Sequence, residues 1–187
     1  LMKVIFITGN HTRHIYLVKQ FSKHFRNFRW IVEKREININ HQKLKKNKIY
    51  FKHINDFKKQ ENYFFQNCKK FLKQKKKNLV FVTRNKTNLS SFNKLIVQEI
   101  EQYKPQVIFS YGCRKIDVSL IRKNELRCFN IHGGLLPKYR GVNTNFWPHV
   151  NNESNLVGIT MHDLSDKIDS GNIFCQESAE IEKKDTI

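Results

Sequence analysis

The chain contains little glycine and proline, and both are distributed unevenly. Seven of its 187 residues are glycine and three are proline, and five of the glycines fall between residues 133 and 171. The stretch FNIHGGLLPKYRG, residues 129–141, holds three of these glycines together with Pro137. Because glycine permits backbone conformations and close approaches that a side chain forbids, this crowding predicts a loop with tight steric requirements.

Cysteine is also scarce, and long apolar runs are missing. The four cysteines, at positions 68, 113, 128 and 175, lie far apart without a C-x-x-C pair, which indicates reduced thiols rather than a clustered metal site. No apolar run approaches the roughly 20 residues of a membrane span. The run VIFI near the start is too short for the core of a signal peptide. These features predict a cytoplasmic protein with no membrane partner.

Acidic residues are rare in the first half of the chain. Residues 1–94 hold 24 Lys and Arg against 4 Asp and Glu, whereas residues 95–187 hold 11 against 12. A nucleic-acid surface would explain this excess, and so would lysine-rich codon usage on solvated helices. The aromatic residues 63–65 favour the second explanation, because their spacing predicts contacts with the core rather than a stacking platform.

Strand signals alternate with helical signals along most of the chain. Short apolar runs predict strands, and apolar residues at helical spacing predict helices. The predicted strands are 3–8, 28–37, 78–83, 105–112, 126–132, 155–164 and 171–181; the predicted helices are 14–25, one or two within 41–77, and 91–103. This alternation predicts an α/β fold with a doubly wound, mostly parallel sheet and helices on both faces.

Asn130 and His132 lie where such a sheet holds its ligands, beyond the carboxyl end of a strand. Residues i and i+2 of a strand point to the same side, so the two side chains are expected to project together. An amide donor beside an imidazole that titrates near pH 6.5 can stabilise an oxyanion and move a proton. A satisfied polar cluster in a loop would explain the pair equally well.

The stretch DLSDKIDSG, residues 163–171, offers three aspartates that could orient the imidazole. Asp169 precedes Ser170 and Gly171 in a predicted turn between two strands, and an Asp-Ser-Gly sequence is often no more than a turn. Asp163 and Asp166 are the alternatives. The chain has no G-x-G-x-x-G after its first strand and no P-loop, so dinucleotide and nucleoside triphosphate binding lack their motifs.

Two stretches together closely resemble one enzyme family. They are FNIHGGLLPKYRGVNTNFWP, residues 129–148, and VGITMHDLSDKIDSGNIFCQ, residues 157–176. Both resemble the formyltransferases that use 10-formyltetrahydrofolate, a family that includes glycinamide ribonucleotide, methionyl-tRNA and nucleotide-sugar formyltransferases. The family pattern is Asn-x-His, a Leu-Leu-Pro turn with a Gly, a G-x-T-x-H strand, and an Asp shortly before a Gly. All of these elements are present in that order, and the resemblance is strongest over residues 105–177.

One branch of the family is more similar than the others. The form H-G-G-L-x-P-x-Y-R-G followed by TNFWP resembles the nucleotide-sugar branch more than the purine or tRNA branches. Many family members have Ser where this chain has Gly134. The resemblance therefore implies formyl transfer from 10-formyltetrahydrofolate, without a metal, to the amine of a small substrate, and favours a nucleotide-linked amino sugar.

The resemblance also implies a Rossmann-like catalytic domain over residues 1–187, and whether this domain is truncated at its C-terminus stays open. The catalytic positions of the family fall on Asn130, His132 and Asp169. Asn130 would hold the oxyanion, His132 would relay the proton of the amine toward N10 of the folate, and Asp169 would orient His132.

Further contacts follow from the same resemblance. The expected cofactor-binding residues are Gly112, Cys113 and Arg114 on one wall of a pocket and Asp166, Lys167 and Ile168 on the other. Arg114 is expected to reach the glutamate tail of the folate, while Cys113 is equally well a packing residue. The expected substrate-binding residues are Gly133, Gly134, Lys138 and Arg140. His162 is expected to support the structure, and Phe146 and Trp147 to form the buried face of a helix.

Two other functions stay open. The basic first half favours methionyl-tRNA formylation, because Lys and Arg make the contacts with phosphates. A catalytically inactive homologue that binds folate is the second alternative, and the intact Asn-His-Asp set argues against it. The identity of the sugar and the presence of a homodimer are undetermined by the sequence.

Overall fold

The computed structural model describes residues 1–35, 48–66, 68–122 and 126–182. The strands are β1 Lys3–Gly9, β2 Asn27–Lys34, β3 Leu79–Thr83, β4 Val107–Tyr111, β5 Arg127–His132, β6 Gly158–Asp163 and β7 Ile173–Ser178. The helices are α1 Thr12–Phe21, α2 Lys48–Phe64, α3 Cys68–Gln74, α4 Leu89–Tyr103, α5 Val118–Arg122 and α6 Trp147–Val150. The seven predicted strands are confirmed, although residues 36–37 of the second prediction and residues 41–47 of the predicted helical region lie outside the described residues.

The strands form one sheet in the order β3-β2-β1-β4-β5-β6-β7. Strands β1 to β5 pair in parallel, and β6 and β7 each pair antiparallel with the preceding strand. The chain winds outward from β1 through β2 and β3, then returns to the other side of β1 with β4 and β5. The predicted doubly wound, mostly parallel sheet is therefore confirmed, and its strand order reverses between β1 and β4, where such sheets place their ligands.

Helices cover both faces of the sheet because successive strand residues point to opposite sides. On one face, Val4 and Phe6 of β1 belong to a core that also includes residues of α1 and α3. On the other face, Ile5 and Ile7 belong to a second core with three residues of α4. All four β1 side chains are fully buried. The apolar run in β1 thus serves two cores, which explains why it shows no polar alternation.

The aromatic residues at the end of α2 differ from the prediction. Phe65 packs against the first core, but Tyr63 and Phe64 are 70% and 69% exposed. Successive helical residues are rotated by about 100° around the axis, so adjacent aromatic side chains cannot all face one core. The prediction that residues 63–65 face inward is therefore wrong for two of the three. None of the helices in the described ranges is long and apolar enough to cross a bilayer.

Candidate active site

Asn130 and His132 of β5 both reach the carboxylate of Asp169, which lies in the loop between β6 and β7. Asn130 Nδ2 lies 3.3 Å from Asp169 Oδ1, and His132 Nδ1 lies 3.4 Å from Asp169 Oδ2. The i, i+2 spacing on a strand places the first two side chains on one face. The structure therefore brings together the three residues that sequence and resemblance selected.

A tight turn carries Asp169 to this position. The backbone of Asp169 has a φ of 47°, in the left-handed region that non-glycine residues rarely adopt. A Cβ added to Gly171 would lie 1.8 Å from the Asp163 carbonyl oxygen, so glycine is required where the loop crosses β6. The Asp-Ser-Gly segment is consequently a turn and also the support of the carboxylate.

Gly171→Ala tests this turn. The added methyl group collides with backbone rather than with a side chain that could rotate, so we expect the free energy of unfolding to fall by about 1–3 kcal/mol and kcat to fall with it. Urea denaturation measures the first effect. Gly133→Ala is the matched control for stability, because its Cβ would meet only the Asn145 side chain at 3.7 Å. Equal denaturation midpoints for the two variants would show that the loop can move without cost.

The surroundings of Asp169 favour its ionised form. Its Oδ2 accepts a 3.0 Å hydrogen bond from the Gly141 N–H, which ties the loop after β5 to the loop after β6. Burial alone raises the pKa of the Asp169 carboxyl, but the His162 side chain, the Gly141 N–H and the nearby His132 together hold this pKa below its ordinary value. Asp169 is therefore a carboxylate at neutral pH.

His132 is buried behind Asp169, and both of its ring nitrogens face acceptors. Nε2 lies 2.7 Å from the Tyr139 carbonyl oxygen, and Nδ1 faces the Asp169 carboxylate. A neutral imidazole carries one N–H and can donate to only one of these groups. A proton that reaches the ring therefore finds an acceptor already in place, as proton transfer requires.

Two site residues were missed or undervalued from sequence, and the sheet register explains their positions. Ser110 of β4 lies opposite Asn130, and Asn130 lies opposite His162 of β6. Ser110 Oγ donates to Asn130 Oδ1 at 2.9 Å, which turns the amide nitrogen toward His162 Nε2 at 3.1 Å. His162 Nδ1 lies 2.8 Å from the Asp163 carbonyl oxygen, and His162 Nε2 lies 3.6 Å from Asp169 Oδ1, so this ring contacts both Asn130 and Asp169. The only sequence signal for Ser110 was a polar residue in the apolar run VIFSY.

A cleft opens beside these groups. Its lining residues are Ser110, Cys113, Arg114, Lys115, Ile116, Asn130, His162, Leu164, Ser165, Asp166, Lys167, Ile168 and Asp169. Five of the six expected cofactor-binding residues thus line one cleft with Asn130 and Asp169. Gly112 is not among the lining residues. It has a φ of +60° and leaves no room for a Cβ, which would lie 2.4 Å from the His14 ring.

Cys113 and Arg114 are constrained by the core beneath the cleft. Burial, with the nearby Glu33 carboxylate, raises the pKa of the Cys113 thiol to about 12, so this residue is no nucleophile at neutral pH. The Arg114 guanidinium forms an ion pair with the fully buried Glu33 and donates to the Thr87 carbonyl at 2.6 Å. The role that the resemblance gives Arg114, contact with the glutamate tail, would compete with these bonds.

The expected substrate-binding residues fall into different environments. Gly134 is buried, and a Cβ there would lie 2.6 Å from Thr144 Cβ, so the Ser of other family members would require different packing. Lys138 is paired with Glu153. Gly133 is half-buried, and Arg140 is exposed next to the Gly141 that holds Asp169. Within the ranges described, no group of three His, Cys, Asp or Glu side chains is arranged to hold a metal ion.

The prediction for Phe146 and Trp147 is wrong. Their side chains are 46% and 48% exposed, although they were expected to face the core. The helix α6 is only four residues long, and this segment buries Thr144 and Pro148 instead. The two aromatic residues are therefore left at the surface.

Comparison with known proteins yields one family. A protein-family model described as Formyl transferase matches residues 2–187. The bifunctional polymyxin resistance protein ArnA of Wigglesworthia glossinidia brevipalpis is 39% identical over 135 residues, which are 72% of this chain and 19% of that protein. The chain thus spans about a fifth of the length of that relative.

Solved structures share the fold at low sequence identity. Phosphoribosylglycinamide formyltransferase from Bacillus halodurans superposes with a TM-score of 0.62 at 15% identity, covering 98% of this chain and 82% of that one. A Mycobacterium tuberculosis protein described as a "likely sugar N-formyltransferase" superposes with a TM-score of 0.55 at 17% identity, covering 97% and 56%. Both similarities establish the formyltransferase fold and leave the substrate open.

Proposed function

The chain belongs to the formyl transferase family, and we propose that it transfers the formyl group of 10-formyltetrahydrofolate to the amine of a nucleotide-linked amino sugar. Formyl transfer follows from the family itself, whereas the sugar and the roles of individual residues are proposed. The observation that supports these roles best is the convergence of Asn130, His132 and Asp169 beside the cleft.

Asn130 stabilises the charge that develops when the amine attacks the formyl carbon. Ser110 holds the amide oxygen, so the NH₂ group is presented on the Asp169 side of the cleft. There a formyl oxygen that enters the cleft can replace the long 3.3 Å contact with Asp169 and accept the amide hydrogen as it becomes negative. A fixed donor of this kind typically lowers the barrier by on the order of 3 kcal/mol.

Asp169 and His132 move the proton that the amine loses. Asp169 lines the cleft and lies between it and the buried His132, so the carboxylate connects the ring to the reacting atoms. The new C–N bond forms at the amine and the bond to N10 breaks. The proton passes from the amine to the His132–Asp169 pair, and from this pair to the nitrogen that leaves.

The cleft has a chemistry that suits a folate. One wall carries Cys113 and Ile116, the other carries Leu164 and Ile168, and Asp166 provides acceptors at the rim. Apolar side chains with a few polar groups are typical of sites for flat heterocyclic ligands. The folate would supply the formyl carbon, and these residues would hold its pterin ring beside Asn130.

A sugar nucleotide is favoured over other amines by the loop after β5. Its H-G-G-L-L-P-K-Y-R-G form resembles the nucleotide-sugar branch, and the description of the Mycobacterium tuberculosis neighbour names sugar N-formylation. Arg140 is exposed beside the site, where a guanidinium can bind a phosphate in bidentate fashion. Lys138, by contrast, already has Glu153 as its partner.

One observation supports methionyl-tRNA formylation as a second candidate. Tyr63 and Phe64 are exposed and precede α3, where Lys70 and Lys73 are exposed as well. Exposed lysines close to exposed aromatic side chains are typical of surfaces that bind nucleic acids. An assay of 10-formyltetrahydrofolate turnover with a panel of nucleotide-linked amino sugars, and with initiator tRNA alongside, distinguishes the two candidates. A salt-dependent gel shift of tRNA at moderate ionic strength would favour the second.

The proposal places the reaction in the cytoplasm, in a single catalytic domain that includes residues 1–187. The four cysteines are free in the structure, as in most proteins of reducing compartments. The homodimer remains a prediction, which sedimentation velocity can test.

Tetrahydrofolate or its 5-formyl analogue is expected to raise the melting temperature. A ligand that binds only the folded state at 100 times its Kd stabilises it by about 2.7 kcal/mol, which for a domain of this size raises Tm by roughly 5–10 °C. Differential scanning fluorimetry measures the shift. Ile168→Trp, at a 71% exposed residue that lines the cleft, narrows the cleft without filling the core and should fold but lose the response. A wild-type Tm that stays constant at saturating folate would contradict the proposal.

A further inference from the structure

The segment after the catalytic loop exposes a group of apolar side chains that the proposed chemistry does not use. Phe146 and Trp147 are 46% and 48% exposed, and Val142 and Val150 on either side are 79% and 52% exposed. The two aromatic rings contact each other edge to face, with centroids 5.4 Å apart. The two rings thus form one exposed apolar surface, and such surfaces commonly mark binding sites.

This aromatic pair is fixed relative to the active site. Gly141 donates its N–H to Asp169, and the buried Thr144 donates its hydroxyl to the Gly133 carbonyl. The backbone N–H groups of Phe146 and Trp147 both donate to the Asn143 carbonyl, at 2.9 and 3.2 Å. Phe146 is the fifth residue after Gly141, so its Cα lies within about 18 Å of the backbone that holds Asp169.

The charges near the pair suit an anionic ligand with a flat ring. Arg140 is exposed at the start of the same segment, and a guanidinium pairs well with phosphate oxygens. Exposed aromatic side chains stack on nucleobases of any sequence. A ligand that carries both phosphates and a base would engage both features of residues 140–147.

We propose that Phe146 and Trp147 stack on the base of the nucleotide-linked substrate while Arg140 contacts its diphosphate. This inference rests on the proposed function, because it assigns the nucleotide part of the same substrate. The amine at the other end of the substrate lies at Asn130 and Asp169. Residues 140–147 then select nucleoside diphosphates over simple phosphorylated amines.

Tryptophan fluorescence tests the stacking directly. The chain has two tryptophans. Trp30 is fully buried and donates its Nε1–H to Thr8 Oγ1 at 2.9 Å, so a ligand at the surface changes mainly the emission of Trp147. Titration of the whole chain with UDP and with dTDP should quench this red-shifted emission. Trp147→Phe should lose the signal but keep most of the affinity, which calorimetry measures.

Removal of a ring should weaken nucleotide binding selectively. Trp147→Ala is expected to raise the KM for the nucleotide sugar and the Kd for the nucleoside diphosphate about tenfold, with little change in kcat or in the KM for 10-formyltetrahydrofolate. Phe81→Ala, which removes a 43% exposed ring from β3, is the matched control and should leave all four constants unchanged. Trp147→Phe should restore the nucleotide KM, which a merely structural role of the indole would not explain.

The outcomes separate this inference from the proposed function. If wild type formylates a nucleotide sugar and Trp147→Ala does so with the same KM, the stacking is wrong and the function stands. If wild type binds neither nucleoside diphosphate and formylates only another kind of amine, the nucleotide-sugar substrate is wrong as well. If Trp147→Ala instead converts a dimer to a monomer in sedimentation velocity without changing KM, the pair is a subunit interface and the inference is overturned.

Discussion

Replacement of Asn130 by Ala, or of His132 or Asp169 by Asn, is expected to lower kcat by a factor of about 10²–10³. The KM for the amine should change little, because these groups act mainly on charge and protons that appear in the transition state. Steady-state formylation with the best substrate of the panel provides the measurement. Retention of the folate-induced rise in Tm shows that each variant is folded and binds its donor.

A double variant shows whether His132 and Asp169 act as one unit or make two separate contributions to kcat. His132 and Asp169 face each other, with Nδ1 and Oδ2 3.4 Å apart, so removal of either already disables the transfer of the proton. His132→Asn combined with Asp169→Asn should therefore cost little more than one substitution alone, since residues that act as a unit are non-additive. Multiplicative losses would instead assign Asp166 or Asp163 as the partner of His132.

Ser110→Ala is the graded control for Asn130. Its hydroxyl donates to the amide oxygen of Asn130. We therefore expect Ser110 to hold this amide in place rather than to contact the substrate. Loss of the hydroxyl should loosen the amide and lower kcat by roughly fivefold, which corresponds to one hydrogen bond of about 1 kcal/mol. A loss as large as that of Asn130→Ala would mean that Ser110 contacts the substrate.

The fold was predictable because its signals are local. Each strand is a short apolar run, and the alternation of strands and helices leaves few topologies other than a doubly wound sheet. Asn130 and His132 followed from strand geometry, since the two-residue spacing fixes their common face. Asp169 was selected among three aspartates only through the resemblance to the family, because the turn sequence itself left Asp163 and Asp166 open.

The remaining site residues depend on contacts between distant segments. Ser110, Asn130 and His162 form one row across three strands only because of the β4–β5 and β5–β6 registers. A sequence does not display these registers, because tertiary packing sets them. The prediction for Phe146 and Trp147 failed for a related reason: a helix of four residues has no periodicity from which its buried face can be read.

Arg114 is the clearest case of a site residue whose contacts could not be predicted from the sequence. The resemblance predicts that Arg114 reaches the glutamate tail of the folate, but its partner in the structure is Glu33, 81 residues away along the chain. The carboxylate is fully buried at the end of β2, and the Arg114 side chain is 10% exposed. Arg114 also donates its backbone N–H to Glu33 Oε2 at 3.1 Å. One buried carboxylate thus holds both the side chain and the backbone of a residue that lines the cleft.

Glu33→Ala is expected to lower the free energy of unfolding by about 3–5 kcal/mol, because it leaves the Arg114 guanidinium buried without its counter-ion. Urea denaturation provides the measurement. Lys138→Met breaks an ion pair whose lysine is 56% exposed, and should leave the denaturation midpoint almost unchanged, because exposed ion pairs contribute little to stability. Replacing both partners, as Glu33→Leu with Arg114→Met, should recover much of the loss, since the buried guanidinium is removed together with its counter-ion. Arg35, the other cation near Glu33, is 32% exposed and keeps its hydrogen bond to the Gly112 carbonyl.

Glu33→Ala should also affect the active site, because Glu33 accepts a hydrogen bond from the backbone N–H of Arg114, a residue that lines the cleft. Without Glu33, the Arg114 N–H loses its acceptor at the wall of the cleft, so the Glu33→Ala variant should bind folate more weakly than its remaining folded fraction explains. The Kd for 5-formyltetrahydrofolate, measured by calorimetry at a temperature where the variant is folded, tests this link. An unchanged Kd together with a large loss of stability would confine Glu33 to the core. A loss of stability no larger than that of Lys138→Met would show that the Arg114 guanidinium becomes hydrated once its partner is removed. The Glu33–Arg114 ion pair would then contribute nothing to the shape of the cleft.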